Sequence, residues 1–236
     1  MTGGASPGVL PAHGGHEHAP ADLGLGDWLA SAGLGAFHGL NPGMGWLFAV
    51  SFGLQQRSRR ALLGAIVPIA LGHELSVLPT ALVTAVVAGA VTHAVALGVV
   101  AVLLVGFGVY LLGRRRHFRW VGMRLGFWEL AWWSFLMSTT TGAGLMLAPV
   151  VVGAGAPTPE GLTLSLGTAL WQAAGLAVVH ALAMAVVSAA MALAVYEVMG
   201  LEVLRSHWVN LDRLWAWTFV VAGVIVAITW AVALLL

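Results

Sequence analysis

The sequence predicts an all-α membrane protein: six transmembrane helices arranged as a 3+3 inverted repeat, with broken helices at spans one and four. Three observations predict it. Of 236 residues, 60% are hydrophobic and 8% charged, with a mean hydropathy of +0.94. The apolar residues form long stretches separated by short polar breaks. All ten arginines fall in three of those breaks, and lysine is absent.

A soluble domain carries about 25% charged residues. This chain is too poor in charge to cover a globule with polar surface, so lipid must be its solvent. The net charge of +1 gives no basic surface for nucleic acid. With no cysteine, disulfides, thiolate metal sites and thiol catalysis are excluded.

Residues 1–27 read as a flexible Gly/Pro/Ala/His-rich tail that leads into the membrane domain at 28–236. The tail has no positive n-region and no long apolar core, so it does not read as a cleaved signal peptide. A membrane helix needs about 20 apolar residues. Span one ends near Leu54, before QQRSRR. Span two runs from Ala61 to about Val91, and span three from about Ala94 to Leu112. The stretch GRRRHFRWVGMR follows. Span four runs from Leu125 to about Val152, before GAGAPTPEG. Span five runs from about Leu164 to Val198, and span six from about Leu214 to Leu236.

Spans one and four are too long to be simple helices. Each holds a breaker cluster near its middle: Gly39, Asn41, Pro42, Gly43 and Gly45 in the first, and Thr139 to Thr141, Gly142 and Gly144 in the second. Broken backbone at membrane depth survives only where protein or a wet cavity surrounds it.

Arg57, Arg59 and Arg60 follow span one, Arg114 to Arg124 separate spans three and four, and Arg205 and Arg213 separate spans five and six. Six crossings put these connections on one face, which the positive-inside rule makes cytoplasmic. The expected location is a bacterial cytoplasmic membrane, with both termini outside. Trp120, Trp128, Trp132, Trp133, Trp208, Trp215 and Trp217 flank the cytoplasmic ends, as an interfacial aromatic belt does.

The halves, 28–112 and 125–236, share an order: a broken helix, then a helix carrying His-x-Leu. Placing His38-Gly39 on Thr141-Gly142 brings His73 and His180 to similar depth. One half starts outside and the other inside, which makes the repeat inverted. Many secondary transporters are built so, with the site at the midplane between discontinuous helices.

This 3+3 pattern, with a Gly/Pro break opening each half, resembles the lysine-exporter superfamily, which includes nickel/cobalt exporters. Those members carry a His-rich motif ending in Asp-His on an early helix. The nearest match here is Gly72-His73-Glu74, with Glu for Asp and the order reversed. The thiol-reductant branch carries paired cysteines, which this chain lacks. The resemblance implies a transport fold.

Few ionisable groups remain at membrane depth: His38 at the first break, His73 and Glu74 in span two, and His180 in span five. Charge there is costly, so such groups face a cavity or the bundle interior. His73 is expected to face His180 across the repeat axis. His73 and Glu74 are neighbours, so they point about 100° apart. Neutral imidazoles suit a late first-row divalent metal. His73, His180 and His38 are the candidate ligands, and His38, Asn41, Glu74, Thr140 and Thr141 the candidate ion path. Glu74 can also serve as a proton carrier. The alternative for each histidine is a buried interhelical hydrogen bond. The Ser138 to Thr141 hydroxyls can satisfy carbonyls freed at the break or line a path. In the tail, His13, His16 and His18 form a short His-rich tract that can bind metal.

No GxGxxG, P-loop, HExxH or serine-nucleophile motif is present, so no catalytic residues are expected. The expectation is a small secondary transporter of a divalent transition-metal cation. Two other readings stand beside it: a membrane-embedded haem or quinone protein with His73 and His180 as axial ligands, and a small-metabolite exporter relying on the polar breaks. The expected partners are the lipid bilayer and the solute, and a six-helix unit this small can pair as a homodimer.

Overall fold

The computed structural model describes residues 23–113, 126–155, 165–199 and 211–235. Helix α1 spans Leu25–Leu40, and a 3-10 turn at Pro42–Met44 separates it from α2, Trp46–Gln56. Then come α3 (Arg59–Ala90), α4 (His93–Gly113), α5 (Phe127–Thr141) and α6 (Ala143–Ala154). Helix α7 (Leu166–Ala194) ends in a π-helical turn, Val195–Met199, and α8 spans Leu211–Leu235.

Local chemistry sets these ends. Asp27 accepts the Gly24 N–H at 3.0 Å and opens α1. Asn41 ends α1, and its side chain accepts the Gly43 N–H at 2.9 Å, capping the 3-10 turn. Gly45 then takes φ +114°, where a Cβ would be strained, and starts α2. The Ser58 and Ser165 hydroxyls cap α3 and α7 through the N–H groups of Ala61 and Thr168. Gly142, at φ +72°, ends α5, and α6 leaves at 63° to it.

Among the described residues, four helices are long and apolar enough to cross a membrane: Arg59–Ala90, His93–Gly113, Leu166–Glu197 and Trp215–Val232. The bent pair Phe127–Thr141 and Ala143–Ala154 makes a fifth if it is one span. These bounds match the expected spans two to six within about two residues at most ends. The expected first span is α1 plus α2, of 16 and 11 residues, each too short to cross alone. The described chain is therefore a multi-pass membrane protein of four or five apolar crossings. Its surface agrees: large apolar side chains, among them Leu71, Leu75, Val83, Val102 and Val186, are exposed.

Helices α3 and α7 lie against each other at the centre. Helix α1 runs along α7, and α5 along α3. Close approach makes both contacts. A Cβ on Gly35 would stand 2.8 Å from the His180 carbonyl carbon, and one on Gly72 would stand 2.7 Å from that of Ala131. Helices α4 and α8 pair with each other, Gly108 meeting Ala216 and Phe219, and Gly98 meeting Trp230, so they run antiparallel.

Candidate functional site

Seven polar residues are fully buried among the described residues: Ser31, His38, His73, Ser134, Ser138, His180 and Ser188. Three are the intramembrane histidines, and the fold brings them together. The His38 ring centroid lies 4.7 Å from His180 and 5.4 Å from His73, and His73 lies 5.4 Å from His180. The expected pairing of His73 with His180 thus holds, and His38 completes a triangle.

Each ring arrives from a different helix. His38 sits in the last turn of α1, just before the break. Its Nδ1 is 2.8 Å from the Leu34 carbonyl, which can only accept. Nδ1 therefore carries the proton, and the neutral ring's Nε2 keeps its lone pair. His73 Nδ1 lies 2.8 Å from the Ser138 hydroxyl of α5. His180 comes from the middle of α7, where Ser31 of α1 donates to the Leu176 carbonyl at 2.6 Å. That bond fixes α1 against the turn that carries His180.

Nε2 of His38 and Nε2 of His73 make no hydrogen bond, and at least one His180 nitrogen is also without a partner, the Ser31 backbone lying within reach of that ring. Ser134, fully buried one turn before Ser138, also has an unpartnered hydroxyl. A buried polar atom left unpaired costs about 1–3 kcal/mol. An ordered water, a proton, an ion or a polar solute among the three rings offsets that cost.

The spacing suits a metal ion. With metal–nitrogen bonds of about 2.1 Å, tetrahedral imidazoles have ring centroids about 5 Å apart. The three separations bracket that value. Among the described residues, no three His, Asp or Glu donors already surround one point. A shared ion thus requires at least one ring to turn. The spacing does not suit haem. Two axial imidazoles flank a flat macrocycle, with centroids about 6.4 Å apart across the iron. Here a third ring would occupy the plane of the macrocycle.

Trp215 closes one side. Its ring packs edge-on against His38 at 4.6 Å and stacks on Phe37 at 5.1 Å. Its Nε1–H donates to the Thr141 carbonyl at 3.1 Å, at the α5–α6 break. Sequence reasoning assigned Trp215 to the interfacial belt, whereas the residue is buried at the triad. Trp128, Trp132 and Trp217 are exposed, as belt residues are. Ser134 was also missed, because a lone serine in an apolar helix carries no signal of the face it takes.

The other candidates sit differently. Glu74 follows His73 on α3, and its two carboxylate oxygens are shielded without a hydrogen-bond partner. The Asn41 oxygen is taken by its own turn. The Thr140 and Thr141 hydroxyls donate to the Met137 carbonyl at 3.2 and 2.7 Å, and Thr139 donates to that of Phe135. These threonines back-bond to carbonyls within the last two turns of α5, as Ser and Thr in apolar helices do. His13, His16 and His18 lie outside the described residues, as do Arg114 to Arg124, Arg205, Trp120 and Trp208. Comparison of the chain with protein-family models, curated proteins and solved structures finds no match.

Proposed function

We propose that this protein is a small secondary transporter of a divalent transition-metal cation, and that His38, His73 and His180 hold the ion midway through the membrane. The observation that carries the reading is the convergence of three fully buried imidazoles, each with a ring nitrogen that makes no hydrogen bond. Imidazole suits zinc, copper and nickel. The Leu34 carbonyl and the Ser138 hydroxyl, each on a ring Nδ1, are the kind of outer partners that orient metal-binding histidines.

The architecture proposed with it is six spans in two inverted halves, with α1–α2 and α5–α6 as the two broken spans. The packing supports this. Exchanging the halves turns the α1–α7 contact into the α5–α3 contact and leaves α3–α7 and α4–α8 unchanged. Both breaks also close on a left-handed glycine, Gly45 and Gly142. The exchange pairs Gly35 with Ala131, seven residues from the register that sets His38 on Thr141. His38 then corresponds to Ser134. The arginine-bearing ends are proposed to face the cytoplasm. A kinship with the lysine-exporter superfamily belongs to this proposal too, at the level of fold.

The test is binding and transport by purified protein. Thermal unfolding is followed with Zn²⁺, Ni²⁺ and Co²⁺, and uptake is measured in proteoliposomes. An ion at 100 times its dissociation constant stabilises the folded state by about 2.7 kcal/mol. That shift is expected in the wild type and is lost in His73→Ala/His180→Ala. A double variant that keeps the same shift and uptake refutes the metal reading.

A further inference from the structure

Beyond the triad, a cavity of about 170 Å³ opens among the ends of α3 and α6 and the starts of α4 and α7. It lies at the end of α3 opposite Arg59. Its walls include Ala85, His93, Ala169, Gln172, Ala173 and Leu176. At the ~30 Å³ of a liquid water, it has room for about six waters. That is the size of a cation with one shell of water.

Two helix faces join this cavity to the histidines. On α7, Gln172, Leu176 and His180 recur every four residues and so share one face. On α3, His73, Val77, Ala81 and Ala85 do the same. Leu176 is one turn from His180, about 6 Å along the axis, and Gln172 about 12 Å. Between cavity and triad lies an apolar cluster in which Val77, Leu147 and Leu176 are the large fully buried side chains, and Ala81, Ala143, Ala173 and Ala177 the small ones. Partly buried side chains, among them Leu34, Leu78 and Leu82, pack around this layer, and its three large fully buried side chains stand at its centre.

We propose that this cavity is the vestibule through which a hydrated divalent cation reaches the histidine triad, and that Val77, Leu147 and Leu176 form the gate between them. The proposal rests on the transport reading. It assigns the route to the triad to this end, with His93 and Gln172 as the polar groups at its mouth. The cation sheds water at the gate and takes imidazole nitrogens in exchange.

The chain has no cysteine, so single cysteines can be placed in it cleanly. Ala169→Cys lines the cavity, and Gln56→Cys lies exposed at the other end of the bundle. Each is modified with a cationic methanethiosulfonate in detergent, and Co²⁺ loading is followed by its visible absorbance. Modified Ala169→Cys is expected to load at least tenfold more slowly than the wild type, with unchanged final occupancy. Modified Gln56→Cys is expected to load at the wild-type rate. Leu176→Ala, which shortens the gate and lowers the thermal midpoint as a large-to-small core change does, is expected to load faster, and loading no faster than the wild type removes Leu176 from the gate. Equal rates in wild type and modified Ala169→Cys overturn the vestibule while the triad stands. Slowing at Gln56→Cys alone also overturns it, because the route then runs from the other end. Absence of Co²⁺ binding to the wild-type protein removes both the site and its vestibule.

Discussion

Gly35→Ala tests whether the close approach of α1 to α7 builds the triad. The added Cβ would stand 2.8 Å from the His180 carbonyl carbon and 2.9 Å from its Cα, and closer still to the carbonyl oxygen. Carbon atoms in contact sit about 3.5–4.0 Å apart. The helices must therefore separate by about 1 Å or more, or α1 must turn. Backbone atoms cannot swing aside as a side chain does, so the cost is that of overpacking, about 1–3 kcal/mol. Gly33 supplies the control. It lies two residues away on the same helix, about 200° around the axis, and a Cβ there meets nothing within 4 Å. Gly33→Ala is expected to be neutral or stabilising by up to about 1 kcal/mol, since alanine favours helix. The assay is thermal unfolding of purified protein by tryptophan fluorescence, with Co²⁺ affinity measured on both variants. Gly35→Ala should lower the midpoint and weaken binding at least tenfold, because His38 and His180 are carried on the displaced helices. Equal midpoints and affinities for the two variants would refute the packing argument.

Two further variants probe the groups that orient the rings. Ser138→Ala removes the hydroxyl 2.8 Å from His73 Nδ1 and is expected to weaken metal binding about 10–100-fold, as loss of an outer-shell partner does; Ser138→Thr should restore most of it in a titration. Trp215→Phe keeps an aromatic ring beside Phe37 and His38 but leaves the Thr141 carbonyl without its donor. It is expected to destabilise by about 1–3 kcal/mol in thermal unfolding, the cost of one unsatisfied buried group.

The spans were legible because each needs many apolar residues in a row, and arginine marks where they stop. The breaks were legible because proline and glycine have backbone consequences wherever they fall. The three histidines were legible as rare polar groups at membrane depth. The triangle they form was only half visible, because its closing contact depends on how close α1 comes to α7. Gly35 decides that, and nothing in sequence separates it from Gly33 beside it. Trp215 failed for a similar reason. Its position near a helix start fits an interfacial residue, and only the tilt and depth of α8 turn it onto His38. The proposed repeat is visible in the sequence as an order of elements, but its register is not. Alignment on the breaks differs from alignment on the helix contacts by seven residues, two helical turns, which keeps the same face and so leaves the apolar pattern unchanged.

The way the triad is divided links fold to proposed transport. His38 and His73 belong to the first half of the chain, and His180, Ser138 and Trp215 to the second. Yet each group is held from the opposite half. Ser138 of α5 orients His73, Trp215 of α8 walls His38, and Ser31 of α1 is bonded to the α7 turn before His180. Rocking of one half against the other, as the proposed transport requires, would separate His180 from the first two rings and draw Ser138 from His73 and Trp215 from His38, while the Leu34 carbonyl stays with His38 on α1. An ion held by three nitrogens in one arrangement is held by two in the next. Loss of one imidazole ligand weakens binding steeply, so the motion that changes access also releases the ion. A site built within one half would keep its ligands through the same motion and retain the ion.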